Sequence, residues 1–293
     1  MTIASTVMKG HGTGNDFIVY ADPNGEYNPT VEEVQQLCDR HFGIGADGVL
    51  RLTRPEYVDH IDKNIAQALQ DAQVQWVMDY RNADGSIAQM CGNGTRVSAL
   101  FLHTQGLSPQ GPIALGTRAG VKVLTPRGAV SGLGEHVYTV AMGQWHASSA
   151  AEHQISVHQG SVFDGRYVDM GNPHIVTVLN TDTNQWQRAE QTLRELDLSV
   201  APQVTPGLEE GQNVEFVAVE APGLASMRVH ERGVGETLSC GTGLCASAIT
   251  LRAQTGIDSW KIRILGGTVQ VDVDEHNVSL TGDAQLVASV TLL

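Results

Sequence analysis

Lysine is scarce in this 293-residue chain: there are four, Lys9, Lys63, Lys122 and Lys261, and none sits in a setting that marks a Schiff base. Lysine and arginine together number 18 against 32 acidic residues, the formal net charge is −14, and no basic run occurs. That balance excludes the electrostatic footprint of a polyanion binder. Five Phe, six Tyr and four Trp leave few platforms on which bases could stack. No apolar run approaches the about 18 residues of a membrane-spanning helix, and residues 1–14 lack a basic segment followed by an apolar core. A cytoplasmic protein that engages neither nucleic acid nor membrane is expected. Four cysteines without a Cys-x-x-Cys pair fit neither a disulfide scaffold nor a structural zinc site. Reduced thiols, with no metal or other cofactor, are the expectation.

What the chain does contain is a repeat. Met90-Cys91-Gly92-Asn93-Gly94 and Ser239-Cys240-Gly241-Thr242-Gly243 share a Cys followed by Gly-x-Gly, and Met78 and Met227 each precede their cysteine by 13 residues. Gly14-Asn15-Asp16-Phe17-Ile18-Val19 matches Gly171-Asn172-Pro173-His174-Ile175-Val176 in style and stands a similar distance upstream. Two motifs recurring in the same order imply internal duplication.

Runs rich in Val, Ile and Thr, bounded by Gly, Pro or Asp, predict strands at 17–20, 74–80, 121–124, 136–142, 214–219, 227–230, 268–273 and 286–292. Thr30-Val31-Glu32-Glu33 reads as a capping box opening a helix through about His41. Beyond Cys91, the stripe Val97, Leu100 and Phe101 predicts a helix ending near Gly106; beyond Cys240, Leu244, Ala248 and Leu251 predict one ending near Gly256. The polar stretch 56–73 reads as a surface helix or loop, and Pro126 to Gly134 as turn-rich. The architecture is therefore α+β, two similar lobes over 1–142 and 143–283 with a site in the cleft.

An enzyme that inverts a carbon centre needs one group to take a proton from one face and another to deliver a proton to the opposite face. Cys91 and Cys240, at equivalent points of a duplicated frame, supply such a pair. A helix N-terminus presents unpaired N–H groups and partial positive charge, which favour a thiolate and a substrate carboxylate. The spacing thus predicts lowered thiol pKa values at both positions. Cys38, on the apolar stripe of its helix, and Cys245, turned away by the helical period, read as structural.

The residues His11 to Phe17, Gly43-Ile44-Gly45-Ala46-Asp47-Gly48, Arg81 to Gly85, the two Cys-Gly-x-Gly segments, Gly171 to His174, Asn213-Val214-Glu215-Phe216 and Glu231 to Thr237 resemble the signatures of the diaminopimelate epimerases. The resemblance runs from residue 8 to about 247. It implies interconversion of LL- and meso-diaminopimelate, on the route to lysine and cell-wall peptide, without pyridoxal phosphate or metal. It implies pseudo-symmetric lobes, each a mostly antiparallel sheet wrapped round a central helix, a last strand at about 284–293 returning to the first lobe, and a homodimer. By the same resemblance Cys91 and Cys240 are base and acid. The backbone at Gly92-Asn93 and Gly241-Thr242 holds the reacting carboxylate. Asn15, Asn82, Asn172, Asn213, Glu231 and Arg232 contact the small-molecule substrate, and His174 and Glu231 tune the thiols.

Two positions depart from the family pattern: His230 stands where Trp or Tyr is usual, and Thr13 where an apolar residue is common. Other readings stay open at this point. A proline-racemase type would share the architecture, though a proline ring needs no second set of polar contacts. A thiol redox protein and a non-catalytic amino acid binder are the alternatives from other classes.

Overall fold

The computed structural model describes residues 2–158 and 160–293, and its internal contacts divide the chain into two units: residues 1–141 with 282–293, and residues 142–281.

The first unit is a mixed sheet. Strand β1 (Thr6–Gly12) pairs antiparallel with β2 (Asn15–Asp22), β2 runs parallel to β3 (Gly48–Thr53), and β3 is antiparallel to β4 (Trp76–Asn82). Strand β4 is parallel to β5 (Ile113–Thr117), which is antiparallel to β6 (Gly120–Val130), itself antiparallel to β7 (Gly134–Gln144). The stretch read as turn-rich is thus mostly strand. Register shifts between Pro126 and Gly128 and between Gly128 and Val130 absorb the irregularity, because a bulge lets proline and glycine sit in an otherwise paired strand.

In the second unit β8 (His146–Ala147) and β9 (His153–Ser156) pair with β10 (Val162–Asp169). Strand β10 is antiparallel to β11 (Pro173–Asn180), and β12 (Gln203–Thr205) flanks β9. Strand β11 is parallel to β13 (Asn213–Ala221), which is antiparallel to β14 (Leu224–Glu231); the short β15 (Gly235–Glu236) folds back on β14. Strand β14 is parallel to β16 (Ser259–Ile264), which is antiparallel to β17 (Gly267–Val273), followed antiparallel by β18 (Asn277–Asp283). The sequence of pairings from β10 to β18 is that of β1 to β7, which is the duplication in structural form. The last strand, β19 (Gln285–Thr291), pairs antiparallel with β1.

Helices α1 (Val31–Cys38) and α2 (Lys63–Asp71) belong to the first unit. The capping box at Thr30 and Glu33 is present, but α1 stops at Cys38 rather than continuing to His41. The Asp39 carboxylate accepts the His41 and Phe42 N–H groups, both at 2.7 Å, and turns the chain. Helix α3 (Gly92–Thr104) follows β4, and its residues 92–103 are all buried against the strands of its unit. Helix α4 (Trp186–Glu195) lies between β11 and β13, as α1 lies between β2 and β3. It escaped the sequence reading because only Ala189 and Leu193 mark its buried face. Helix α5 (Gly241–Thr255) repeats α3: buried on almost every side through Leu251, it is capped by left-handed Gly256.

Arg96 ties α3 into its sheet. Fully buried, it donates to Asn93 Oδ1 (2.9 Å), Thr13 Oγ1 (3.2 Å) and the Asp283 carbonyl (3.1 Å). Thr13, the departure from an apolar residue, is therefore an acceptor for this guanidinium. Gly282 makes room for it, since a Cβ there would lie 3.2 Å from Arg96 Cζ. Arg96→Met keeps the bulk but leaves these buried acceptors without their donor, so it should cost about 3 kcal/mol of stability. Urea unfolding measures this, and a loss under about 1 kcal/mol would show that the guanidinium is not the tie described.

Candidate active site

Each cysteine of the repeat is the N-cap of its unit's central helix, with extended backbone at Cys91 (φ −142°, ψ 119°) and at Cys240 (φ −117°, ψ 110°). The first-turn N–H groups of a helix have no intrahelical acceptor, so both caps expose donors beside a thiol. Met78 and Met227 lie on β4 and β14, the strands that lead into these caps. None of the four cysteines is joined in a disulfide.

At the first cap, Cys91 is half-buried; its Sγ accepts from the Gly94 N–H at 3.5 Å and lies 3.4 Å from Asn15 Oδ1. Asn15 opens β2, and its amide nitrogen donates to Asp47 Oδ2 at 2.7 Å. Its oxygen accepts from Asn93 Nδ2 at 3.2 Å. Asn82 ends β4, where its side chain donates to Ser86 Oγ at 3.0 Å across the following turn. The unit therefore gathers Asn15, Cys91, Gly92 and Asn93, whereas the Asn82 side chain is bound within its own turn.

At the second cap, Cys240 is buried, with its Sγ 3.6 Å from Thr242 Oγ1. His174 and Glu215 are both fully buried and meet at 2.6 Å through Nδ1 and Oε1. His174 Nε2 lies 3.2 Å from Asn172 Oδ1. Glu231 ends β14 as Asn82 ends β4, and its Oε1 accepts from Thr237 Oγ1 at 2.5 Å. Asn213 Oδ1 accepts the Arg232 N–H at 2.9 Å, and the exposed Arg232 guanidinium donates to the Glu210 carbonyl at 2.8 Å. His230, the other departure, is buried on β14. His174, Glu231, Thr242 and Cys240 thus share one corner of the second unit, with Asn172 held to it through His174.

The lowered pKa expected at both caps does not hold at Cys240. Burial pushes its thiol well above the usual value, and the Glu231 and Glu215 carboxylates push further the same way, outweighing the Gly243 N–H and the Thr242 hydroxyl. The Glu231 carboxyl is itself raised, chiefly by burial. Cys38 is pushed up to about 12 by burial. Cys245 is wholly buried, as its place on the helix requires.

Glu215 was not singled out as a site residue, though a charge inside the apolar run Val214 to Val219 is a visible signal of a buried partner. Its repeat counterpart explains its place. The register of β2 with β3 pairs Val19 with Leu50, and that of β11 with β13 pairs Val176 with Glu215. Leu50 and Glu215 hold the same place under their helices: a Cβ on Gly94 would meet Leu50 at 3.2 Å, and one on Gly243 would meet Glu215 Oε1 at 2.5 Å. By the same register Phe17 answers to His174. Both copies keep the thiol, but an apolar pair lies beneath the first and a hydrogen-bonded His–Glu pair beneath the second.

The fold of this chain recurs in solved structures of an amino acid epimerase and a probable racemase. It is shared with a hydroxyproline epimerase from Agrobacterium vitis (TM-score 0.62, 14% identity, covering 98% of this chain and 90% of that one) and a probable proline racemase from Agrobacterium radiobacter K84 (TM-score 0.63, 14%, 98% and 92%). Those identities bear on the fold alone. The family model for diaminopimelate epimerase matches residues 7–144 and 166–287. Diaminopimelate epimerases from Rhodococcus erythropolis (43% identical over 289 residues, 97% of this chain and 94% of the relative) and Mycolicibacterium smegmatis (41% over 292 residues, 96% and 94%) match nearly end to end. The chain belongs to the diaminopimelate epimerase family.

The contrast between the caps orders the reactivity of the thiols. Because folding raises the Cys240 pKa, its proton is retained as pH rises through the usual thiol range near about 8.5. At pH 8 iodoacetamide should therefore label Cys91 about tenfold faster than Cys240 or Cys38. Peptide mass spectrometry follows each site, and labelling of Cys240 at the Cys91 rate would contradict the order.

Proposed function

We propose that this chain interconverts LL- and meso-diaminopimelate by proton transfer at one α-carbon, with Cys91 and Cys240 as base and acid. The observation that carries the reading is the recurrence of a thiol at the N-cap of a buried helix, once in each unit of a diaminopimelate epimerase family member.

In the forward step one cysteine, as thiolate, takes the α-proton: the C–H bond breaks, an S–H bond forms, and the electron pair passes into the adjoining carboxylate. The other cysteine gives its thiol proton to the opposite face and is left as thiolate. The reverse reaction starts from that state, so neither residue is spare. Backbone donors at Gly92-Asn93 and Gly241-Thr242 hold the reacting carboxylate, which disperses the developing charge. Asn15, Asn82, Asn172, Asn213, Glu231 and Arg232 contact the rest of the substrate. His174 and Glu231 act on the Cys240 thiol, a role supported by Glu231's effect on its ionisation.

The chemistry asks for no group beyond the two thiols, and an enzyme without metal or organic cofactor is part of the reading. So is a cytoplasmic homodimer acting on a small molecule, with no nucleic acid or membrane partner. No helix among the described residues is long and apolar enough to cross a membrane.

Cys91→Ala and Cys240→Ala should each slow epimerisation of LL-diaminopimelate by about a thousandfold or more, with unchanged circular dichroism. Retention of more than about a few per cent of activity by either folded variant would refute the paired roles.

A further inference from the structure

Two side-chain amides stand between Asp47 and Arg96, and the hydrogen-bonding character of those ends dictates how each amide points. A carboxylate only accepts, and a guanidinium only donates. Asp47 Oδ2 takes the Asn15 amide N–H at 2.7 Å, so the Asn15 oxygen must face the other way. Arg96 donates to Asn93 Oδ1 at 2.9 Å, so the Asn93 nitrogen must face Asn15, and it donates to Asn15 Oδ1 at 3.2 Å. The two ends agree on one polarity for the chain. Its product is a carbonyl oxygen, Asn15 Oδ1, fixed 3.4 Å from Cys91 Sγ.

The Asp47 end is anchored. Its backbone N–H donates to the Asp16 carbonyl at 2.9 Å, and its own carbonyl accepts from the Ala83 N–H at 3.0 Å. Its other carboxylate oxygen accepts from Arg40 at 2.8 Å, and Arg40 also binds Asp16 in a two-pronged pair at 3.0 and 2.8 Å. Lys9 pairs with Asp16 at 2.6 Å. The charges around the chain are therefore Lys9 from β1, Asp16 from β2, Arg40 and Asp47 from the loop after α1, and Arg96 from α3. Arg40 and Lys9 hold the Asp16 carboxyl below its ordinary range despite the cost of burial.

We propose that Asp47 is a positioning residue that acts through Asn15: it locks the amide so that a carbonyl oxygen, and not an NH2 group, faces Cys91. An acceptor there takes the S–H proton and disfavours the thiolate, whereas a flipped amide would present a donor and favour it. Asn15 thereby gains a task beyond substrate contact, namely holding Cys91 as a thiol until substrate disturbs the chain. The proposal rests on the reading of Cys91 as a working thiol, but its readout is thiol chemistry and not turnover. An inactive enzyme would bear on the proposed epimerisation alone.

The test is the rate of iodoacetamide labelling at Cys91, read by peptide mass spectrometry at pH 7.5 and across a pH series. Asp47→Asn removes the acceptor-only end and should speed labelling about threefold or more, moving the profile to lower pH. Asn15→Ala, which removes the facing oxygen, should do the same. Asp47→Glu, still acceptor-only, should keep the wild-type rate. In the Asn15→Ala background Asp47→Asn should add nothing further, because its effect passes through the missing amide. Urea midpoints verify folding, and Asp47→Ser replaces Asp47→Asn if the latter does not fold. The proposal is overturned if removing the Asp47 carboxylate leaves Cys91 labelling unchanged or slower. It is equally overturned if the acceleration persists without the Asn15 side chain, which would mark a direct effect of charge.

Discussion

A cysteine at the N-cap of a buried helix is the constraint on which each unit depends. The cap residue must leave the helical path while the next three N–H groups point back toward it, so a side chain at that position meets unpaired donors whatever the rest of the sequence does. Burying α3 and α5 on almost every side requires a sheet that wraps them, and the strands leading into the caps fix where the thiols emerge. The repeated run of antiparallel and parallel pairings is the scaffold for that requirement, made twice.

The two copies then diverge in how they surround the same group. Under the first cap Phe17 and Leu50 are apolar, and polarity arrives from the side through Asp47, Asn15, Asn93 and Arg96. Under the second, His174 and Glu215 put a buried pair below the helix, and Glu231 adds a second carboxylate next to the thiol. Burial opposes a thiol's ionisation, nearby carboxylates add to that, and a helix end favours it; at Cys240 burial together with the carboxylates prevails. Reading the cap alone, as sequence invites, yields the opposite sign. The cap is a local feature, while the carboxylates come from other strands.

The same distinction separates what was legible from what was not. The Cys-Gly-x-Gly segments, the stripe after each, and strands such as Val214 to Val219 are short-range patterns, and they appear where the periodicities put them. The α+β class and the duplication followed from their order. Helix α4 was missed because its apolar stripe is thin, and Pro126 to Val130 looked like a turn because a bulge and a turn use the same residues. Site residues quoted in motifs were visible, but their tasks were not. Asp47 meets Asn15 across 32 positions, His174 meets Glu215 across 41, and Arg96 meets the Asp283 carbonyl across 187. No local spacing encodes such pairs.

The central claim is that two different thiols serve the two faces of one carbon. LL-diaminopimelate incubated with the enzyme in heavy water, and sampled at low conversion, tests it most directly. Two single-proton groups predict that the meso product carries solvent deuterium at the inverted carbon while the remaining LL substrate stays unlabelled. Deuterium entering the remaining substrate as fast as the product, or product keeping its original hydrogen, would mean that one group both takes and returns the proton, and would contradict the account.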